Sequence, residues 1–162
     1  MSSCMSQSTF FQDILDSDTI IVGATVNDWK EAIHRAALPL EAKGWITENY
    51  PRQIIRLVES LGPYIVVAPG IAFAHARPEH GVNRLCMSLL TLAKPVTFGS
   101  EVNDPVQIVV VFGAERDSSH LDLLHQLAQF FSDGKNVQEL LAARTPAEVL
   151  EAIRRRILSR PS

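Results

Sequence analysis

The sequence predicts an α/β fold, and two patterns along the chain support that prediction. Segments with apolar residues at helical spacing alternate with short segments that are β-branched or continuously apolar, as in layered α/β domains. The chain has 162 residues, of which 46% are hydrophobic and 20% charged, so it can bury one core. We therefore expect a single domain over residues 10–162, preceded by a flexible polar N-terminus over residues 1–9.

The first half of the chain is expected to contain helices and strands in alternation. After a short helix over Phe10–Leu15, Asn27 is predicted to cap a helix that runs to about Leu38. Thr47 is predicted to cap another over Glu48–Leu61, which Gly62 and Pro63 end. The predicted strands are Thr19–Thr25, Tyr64–Ala68 and Ile71–Ala74.

The second half repeats this alternation. Strands are predicted over Arg84–Ala93 and Val106–Gly113, with a turn at Asn103-Asp-Pro between them, and the second strand is apolar enough to be covered on both faces. Predicted helices cover Ser118–Ser132, Asn136–Ala143 and a last segment that Thr145 and Glu148 begin as a capping box. The apolar residues at helical spacing in the first of these helices are Leu121, Leu124, Leu127, Ala128 and Phe131.

Composition excludes several classes of function. A formal charge of −3 gives no basic surface for nucleic acid, and the apolar runs are too short to insert into a membrane. The polar N-terminus lacks the pattern of a signal peptide, and Cys4 and Cys86 form no metal or redox motif, so we expect a cytoplasmic protein without a metal site. No glycine-rich phosphate loop is present, so no nucleotide cofactor is expected, and any phosphate must arrive on another protein.

The most informative segment is Pro69-Gly-Ile-Ala-Phe-Ala-His75-Ala-Arg77-Pro78-Glu-His80-Gly. An apolar run that changes abruptly to His, Arg and Pro predicts a strand end that delivers an imidazole to an edge. Pro78 disfavours helix at Arg77, so the segment is no helical metal motif. A histidine on rigid backbone beside a fixed cation suits reversible phosphoryl transfer, with His75 as the nucleophile and Arg77 neutralising phosphoryl charge.

A second histidine, His120, is predicted in the first turn of a helix. Unpaired backbone N–H groups and the positive end of the helix dipole would favour a phosphoryl group there. The same field would keep the imidazole neutral. An ordinary helix start that happens to contain a histidine explains the spacing equally well, and both readings stay open.

These residues resemble the enzyme IIA component of the bacterial sugar phosphotransferase system, in its mannitol–fructose superfamily. The matching pieces are Pro69-Gly-Ile-Ala-Phe-Ala-His75-Ala-Arg-Pro-Glu79, Pro95-Val-Thr-Phe98, Asn103-Asp-Pro-Val106 and His120-Leu-Asp-Leu-Leu124. The segment Gly62–Gly70 is most similar to the ascorbate-specific branch. The resemblance implies a mixed β-sheet sandwiched between helices.

The resemblance also implies a phosphoryl carrier that needs no cofactor. His75 would accept phosphate from the phosphohistidine of HPr and pass it to a cysteine of enzyme IIB for uptake of a sugar, with ascorbate as the branch-level expectation. His120 would lie beside His75 and help to hold the phosphoryl group. A partner-facing apolar rim is expected around His75. The family includes monomers and dimers, so a homodimer remains open.

Two departures from the family pattern leave alternatives open. The usual proline before the active histidine is Ala74, which does not fix φ. Glu59 and Ser60 stand where many members carry Arg-Glu, so Arg77 or, secondarily, Arg56 would supply the cation. One alternative is a regulatory relative that phosphorylation switches. Another is a small metal-dependent hydrolase built from three of the histidines, namely His75, His80 and His120.

Overall fold

The sheet is mixed, as the sequence and its resemblance predict. The computed structural model describes residues 11–114 and 117–158, with the side chains of 11, 12, 78, 117–120, 157 and 158 outside that description. The predicted flexible segment 1–9, with Cys4, and the start of the predicted first helix at Phe10 lie outside the described residues. The strands are β1 (Ile20–Ala24), β2 (Val66–Ala68), β3 (Ile71–Ala74), β4 (Cys86–Val96) and β5 (Val106–Gly113).

These strands form one five-stranded sheet in the order β1-β4-β5-β3-β2. β1 runs parallel to β4, and β3 runs parallel to β5. The β4–β5 and β2–β3 pairs are antiparallel. β5 lies at the centre of the sheet and is buried on both faces, as its continuous apolar sequence predicts.

Helices cover both faces of the sheet. They are α1 (Trp29–Ala42), α2 (Asn49–Leu61), α3 (Asp117–Phe131), α4 (Gly134–Ala142) and α5 (Pro146–Leu158), and short 3-10 turns cover Phe11–Ile14, Ser17–Thr19 and Pro78–His80. One core packs α1 and α2 against Val109 and Val111 of β5. The other packs α3, α4 and α5 against Ile108, Val110 and Phe112 of the same strand. Because successive side chains of β5 point to opposite faces of the sheet, this one strand contributes residues to both cores.

The predicted helix starts need correction. Asp28, not Asn27, caps α1, because its carboxylate accepts from the backbone N–H of Glu31 at 2.9 Å. The helix also continues past the predicted end, through Pro39, to Ala42. α2 begins at Asn49 without the side-chain cap predicted at Thr47. The last helix does have its predicted cap, since the Thr145 hydroxyl accepts from the backbone N–H of Glu148.

Other differences lie in β4 and α3. β4 extends through Pro95 to Val96 instead of ending at Ala93, with an irregular register between Thr91 and Val96. In α3 the sheet-facing set differs from the predicted one, because Leu121 and Ala128 are exposed. The helix is rotated so that another stripe at helical spacing packs inward, namely Leu123, Leu127, Phe130 and Phe131.

Gly81 fixes the segment that returns from β3 toward β4. Its φ is +127°, and a Cβ atom built there would overlap the Thr47 hydroxyl at the start of α2. We expect Gly81→Ala to lower the free energy of unfolding by about 2 kcal/mol or more, measured by urea denaturation. Gly134→Ala is the matched control, because it opens α4 with no atom within 4 Å of the new Cβ. Equal losses in both variants would contradict this explanation.

Candidate functional site

His75 is the first residue after β3, at the edge of the sheet where the parallel strands β3 and β5 both end. Ala74 pairs with Val111, so the strands reach this edge in register. α3 begins at Asp117, shortly after β5 ends at Gly113. Because so few residues separate them, the first turn of α3 belongs to the same edge. That turn includes the backbone of His120, whose side chain is among those not described.

A contact with its own strand selects one tautomer of the neutral imidazole of His75. Its Nδ1 atom lies 2.8 Å from the carbonyl oxygen of Phe73. A carbonyl oxygen can only accept a hydrogen bond, so Nδ1 carries the proton and donates it. The lone pair of the neutral ring is therefore on Nε2. The half-buried ring thus has one nitrogen anchored to its own strand and one suited to act as a nucleophile.

Two aromatic side chains hold the plane of the imidazole. The ring of Phe112 stacks on it with centroids 5.0 Å apart and an interplanar angle of 24°. The ring of Tyr64 meets it edge-on, with centroids 5.8 Å apart at 82°. Phe112 is fully buried, so it gives the imidazole a rigid floor.

The peptide group that follows His75 is bonded at both ends by tyrosine hydroxyls. The Tyr64 hydroxyl donates to the carbonyl oxygen of His75 at 2.8 Å. The backbone N–H of Ala76 donates to the Tyr50 hydroxyl at 3.0 Å. The Tyr50 hydroxyl lies 2.7 Å from the carbonyl oxygen of Phe112 and 3.1 Å from that of Ala76, and its single proton points to one of them at a time.

Burial keeps both tyrosines protonated. It raises the pKa of Tyr64 from 10.0 to about 12 and that of the fully buried Tyr50 further in the same direction. A folded-state pKa above the unfolded value means that the native state binds the proton more tightly. The stability from this source is present below pH 10.0 and lost as pH rises toward about 12.

This linkage gives an alkaline test. We expect the free energy of unfolding to fall as pH rises above the ordinary tyrosine value of 10.0, with a weaker decline in Tyr64→Phe. Urea denaturation across that range, with tyrosinate absorbance followed in parallel, measures both quantities. Tyrosinate absorbance that reached half of its full two-tyrosine value near pH 10 in the folded protein would contradict it.

Arg77 lies at the surface rather than inside the site. Its side chain is 74% exposed, and its Nε atom lies 2.9 Å from a carboxylate oxygen of Glu79. The pKa of Glu79 is lowered, first by its own backbone N–H and then by Arg77. Arg56, the secondary cation, is also exposed, on α2. Arg77 would have to exchange Glu79 for a phosphoryl group in order to act.

An apolar groove opens beside β3. It has a volume of about 370 Å³ and is lined by β2, β3, the C-terminal half of α3 and the residue after it, through Val67, Ala68, Phe73, Leu124, Ala128, Phe131 and Ser132. Val67 is 47% exposed at its rim, whereas Phe73 is buried in the core. The groove shares β3 with His75 and offers apolar surface to another protein.

The described residues place further limits on the site. Apart from side chains outside the description, such as His120, they contain no group of three or more His, Cys, Asp or Glu residues that could hold a metal ion. The metal-dependent hydrolase alternative includes His120, whose side chain lies outside the described residues, so that alternative stays untested. Among the helices described, none is long and apolar enough to cross a bilayer.

Sequence reasoning missed Tyr50, Tyr64 and Phe112 as parts of the site. Tyr50 was placed in a helix and Phe112 in a strand, and neither carries a local sign of contact with the histidine. Tyr64 does carry one, since it follows the Gly62-Pro63 break and a tyrosine there needs a partner for its hydroxyl. The second histidine's side chain remains untested, while its predicted place in the first turn of a helix agrees with α3.

Comparison with known proteins gives the class that this fold and site define. Residues 13–156 match the family described as "Phosphoenolpyruvate-dependent sugar phosphotransferase system, EIIA 2". The chain belongs to this family of sugar phosphotransferase components.

Within the family, the chain is similar to ascorbate-specific EIIA components. It is 38% identical over 143 residues to that of Salmonella typhimurium and 36% to that of Escherichia coli K12, which covers 88% of this chain and 93% of each relative. A putative PTS IIA (PtxA) of Streptococcus mutans superimposes with a TM-score of 0.84 at 33% identity, over 93% of this chain and 97% of that one. The E. coli mannitol-specific cryptic IIA CmtB gives 0.81 at 30%, over 91% and 99%.

Proposed function

We propose that this protein is a phosphoryl carrier between HPr and an enzyme IIB, with His75 as the residue that is phosphorylated. The observation that carries the proposal is the 2.8 Å contact between His75 Nδ1 and the carbonyl oxygen of Phe73, which puts the proton of the neutral ring on Nδ1 and the lone pair on Nε2. Family membership supplies the reaction class, since the family is a phosphotransferase component. The nucleophile needs no separate base, because a neutral imidazole has no proton on Nε2 to lose.

The transfer can be written with balanced bonds. Nε2 of His75 attacks phosphorus in line, the N–P bond of phosphorylated HPr breaks, and its electron pair returns to the HPr imidazole. The Nδ1 proton stays on His75 and remains bonded to the Phe73 carbonyl, which supports the positive charge that develops on the ring. A cysteine thiolate of IIB then attacks the same phosphorus, and the departing Nε2 regains its lone pair.

The phosphoryl oxygens need donors during both steps. We assign this role to the first turn of α3, where His120 lies; the short connection from the end of β5 to α3 supports this assignment. Arg77 would add charge after leaving Glu79. This second contribution is the smaller one, because a guanidinium 74% exposed is screened by water.

The proposed partners are inferred from the apolar groove and from proteins similar to this chain. The apolar groove beside β3 would receive one face of the partner protein. An E. coli IIA that shares the fold, with a TM-score of 0.75 at 22% identity, has been solved in complex with phosphorylated IIB of the mannitol system. Because the relatives at 36–38% identity are ascorbate-specific, we infer an ascorbate-type IIB for this chain.

The proposal also covers the location of the protein and the part of the chain that functions as a domain. HPr and IIB act on the cytoplasmic side of uptake, so we infer a cytoplasmic protein, and residues 10–162 are taken as the functional unit. The described contacts of His75 with Phe73, Tyr64 and Phe112 lie within one chain, and a homodimer stays open.

A single reconstitution tests the proposal. The full chain is incubated with phosphoenolpyruvate, enzyme I and HPr, and then with ascorbate-type and mannitol-type IIB proteins separately. We expect one acid-labile phosphate per chain and faster transfer to the ascorbate-type IIB. Failure to take phosphate from HPr contradicts the carrier function. Uptake without transfer to either IIB would favour the regulatory alternative.

A further inference from the structure

We propose that Tyr64 and Tyr50 are positioning residues that clamp the peptide group between His75 and Ala76 and so aim the imidazole for phosphoryl transfer. The inference rests on the proposed role of His75 and adds two residues from outside its own segment. It concerns alignment, since neither hydroxyl is placed on the phosphoryl group itself.

The clamp acts on one peptide group from both ends. Tyr64 donates to its carbonyl oxygen and Tyr50 accepts from its N–H, at 2.8 and 3.0 Å. A peptide group is planar, so holding both polar ends fixes its orientation, and with it ψ of His75 and φ of Ala76. Ala74, the residue before the histidine, has no ring that fixes its φ, as a proline would. The backbone of His75 is therefore restrained by the peptide group that follows it.

The same tyrosines also reach the ring. The Tyr50 hydroxyl, besides accepting from Ala76, is nearest to the backbone carbonyl of Phe112, whose side chain stacks on the imidazole. The Tyr64 ring contacts the imidazole edge-on. The backbone and the ring of His75 are therefore held by the same three parts of the fold, namely the first turn of α2, the end of β5 and the segment between α2 and β2 that carries Tyr64.

Both hydroxyls are suited to a permanent structural role. Tyr50 is fully buried, and Tyr64, which follows Gly62 and Pro63 in the sequence, is half-buried. Burial raises the pKa of each phenol above its ordinary value of 10.0, so both hydroxyls keep their protons at neutral pH.

The kinetic test uses Tyr64→Phe in the full chain, which removes the hydroxyl and keeps the ring. We expect kcat for phosphorylation by phosphorylated HPr to fall about tenfold, with KM changed less than about twofold, because alignment is lost while the docking surface stays. Tyr50→Phe should do the same. The matched control is Thr91→Val, which removes a buried hydroxyl that accepts from the backbone N–H of Gly23 at the far end of the sheet. Its kcat should equal that of the wild type.

A second readout needs no phosphate donor. Side-chain ¹⁵N shifts of His75 report the tautomer, and we expect the Nδ1–H form to dominate in the wild type and to lose population in Tyr64→Phe. Unchanged kcat together with an unchanged tautomer in Tyr64→Phe overturns the clamp. If the wild type takes no phosphate, the carrier function fails, and the tautomer measurement still decides the clamp. If Tyr50→Phe does not fold, Tyr64→Phe decides alone.

Discussion

Replacing His75 with alanine is expected to abolish phosphorylation of this protein. The imidazole supplies the nucleophilic nitrogen, and the described rings that contact it, those of Phe112 and Tyr64, carry no nitrogen that could replace it. Loss of a nucleophile removes the reaction path itself, so we expect a fall in the rate of phosphate uptake of at least about a thousandfold. Phosphate on the chain after incubation with phosphoenolpyruvate, enzyme I and HPr measures it.

His80→Ala and His125→Ala are the matched controls for that experiment. His80 ends the 3-10 turn beyond the site, and His125 is exposed on α3 beyond its first turn. Both variants should take phosphate at the wild-type rate. Circular dichroism of all three variants would show that the fold persists. Uptake by His75→Ala at the rate of the controls would reject His75 as the acceptor and leave the reaction class to another histidine.

The elements of this fold were predictable where the sequence pattern is strong and local. β5 was placed at its observed bounds, because a continuous apolar run between turn residues has no other stable place than the centre of a covered sheet. The cap of α1 was placed one residue early, since Asn27 and Asp28 have similar capping chemistry and only the folded backbone decides which one reaches the N–H of Glu31. The helix was predicted to end at about Leu38, yet Leu40 is fully buried, and that burial extends the helix through Pro39.

The sequence predicted only those site residues that lie in one continuous segment of the chain. His75 and Arg77 stand in one short segment, so the motif identified them together, and the strand end that presents His75 followed from the apolar run before it. The partners of His75 come from other elements. The Tyr50 hydroxyl contacts the carbonyl oxygens of Ala76 and Phe112, which lie 26 and 62 positions away from Tyr50 in the sequence. Such contacts depend on how α2 and β5 pack, which periodicity does not specify. Arg77 is exposed and forms an ion pair with Glu79, a pairing that the sequence analysis did not predict.

The largest effect on stability is expected from Phe112→Ala. Phe112 is fully buried in the core formed by β5 and α3, α4 and α5, and its ring is also the floor under His75. Removing it leaves a cavity between the sheet and the helices, and we expect the free energy of unfolding to fall by about 3–5 kcal/mol. Urea denaturation measures the loss. Leu38→Ala, at a site 56% exposed on α1, is the control and should change stability by less than about 0.5 kcal/mol.

Phe112→Leu separates the two roles of that ring. Leucine keeps most of the apolar volume, so the loss of stability should be smaller, about 1–2 kcal/mol, and the protein should remain folded. It cannot stack, so the imidazole of His75 loses its planar support while the Nδ1 bond to Phe73 remains available. We expect a several-fold fall in the rate of phosphate uptake at a stability that keeps the chain native. A rate equal to that of the wild type would mean that the Phe112 ring serves the core alone, and that the strand and the tyrosines suffice to align His75.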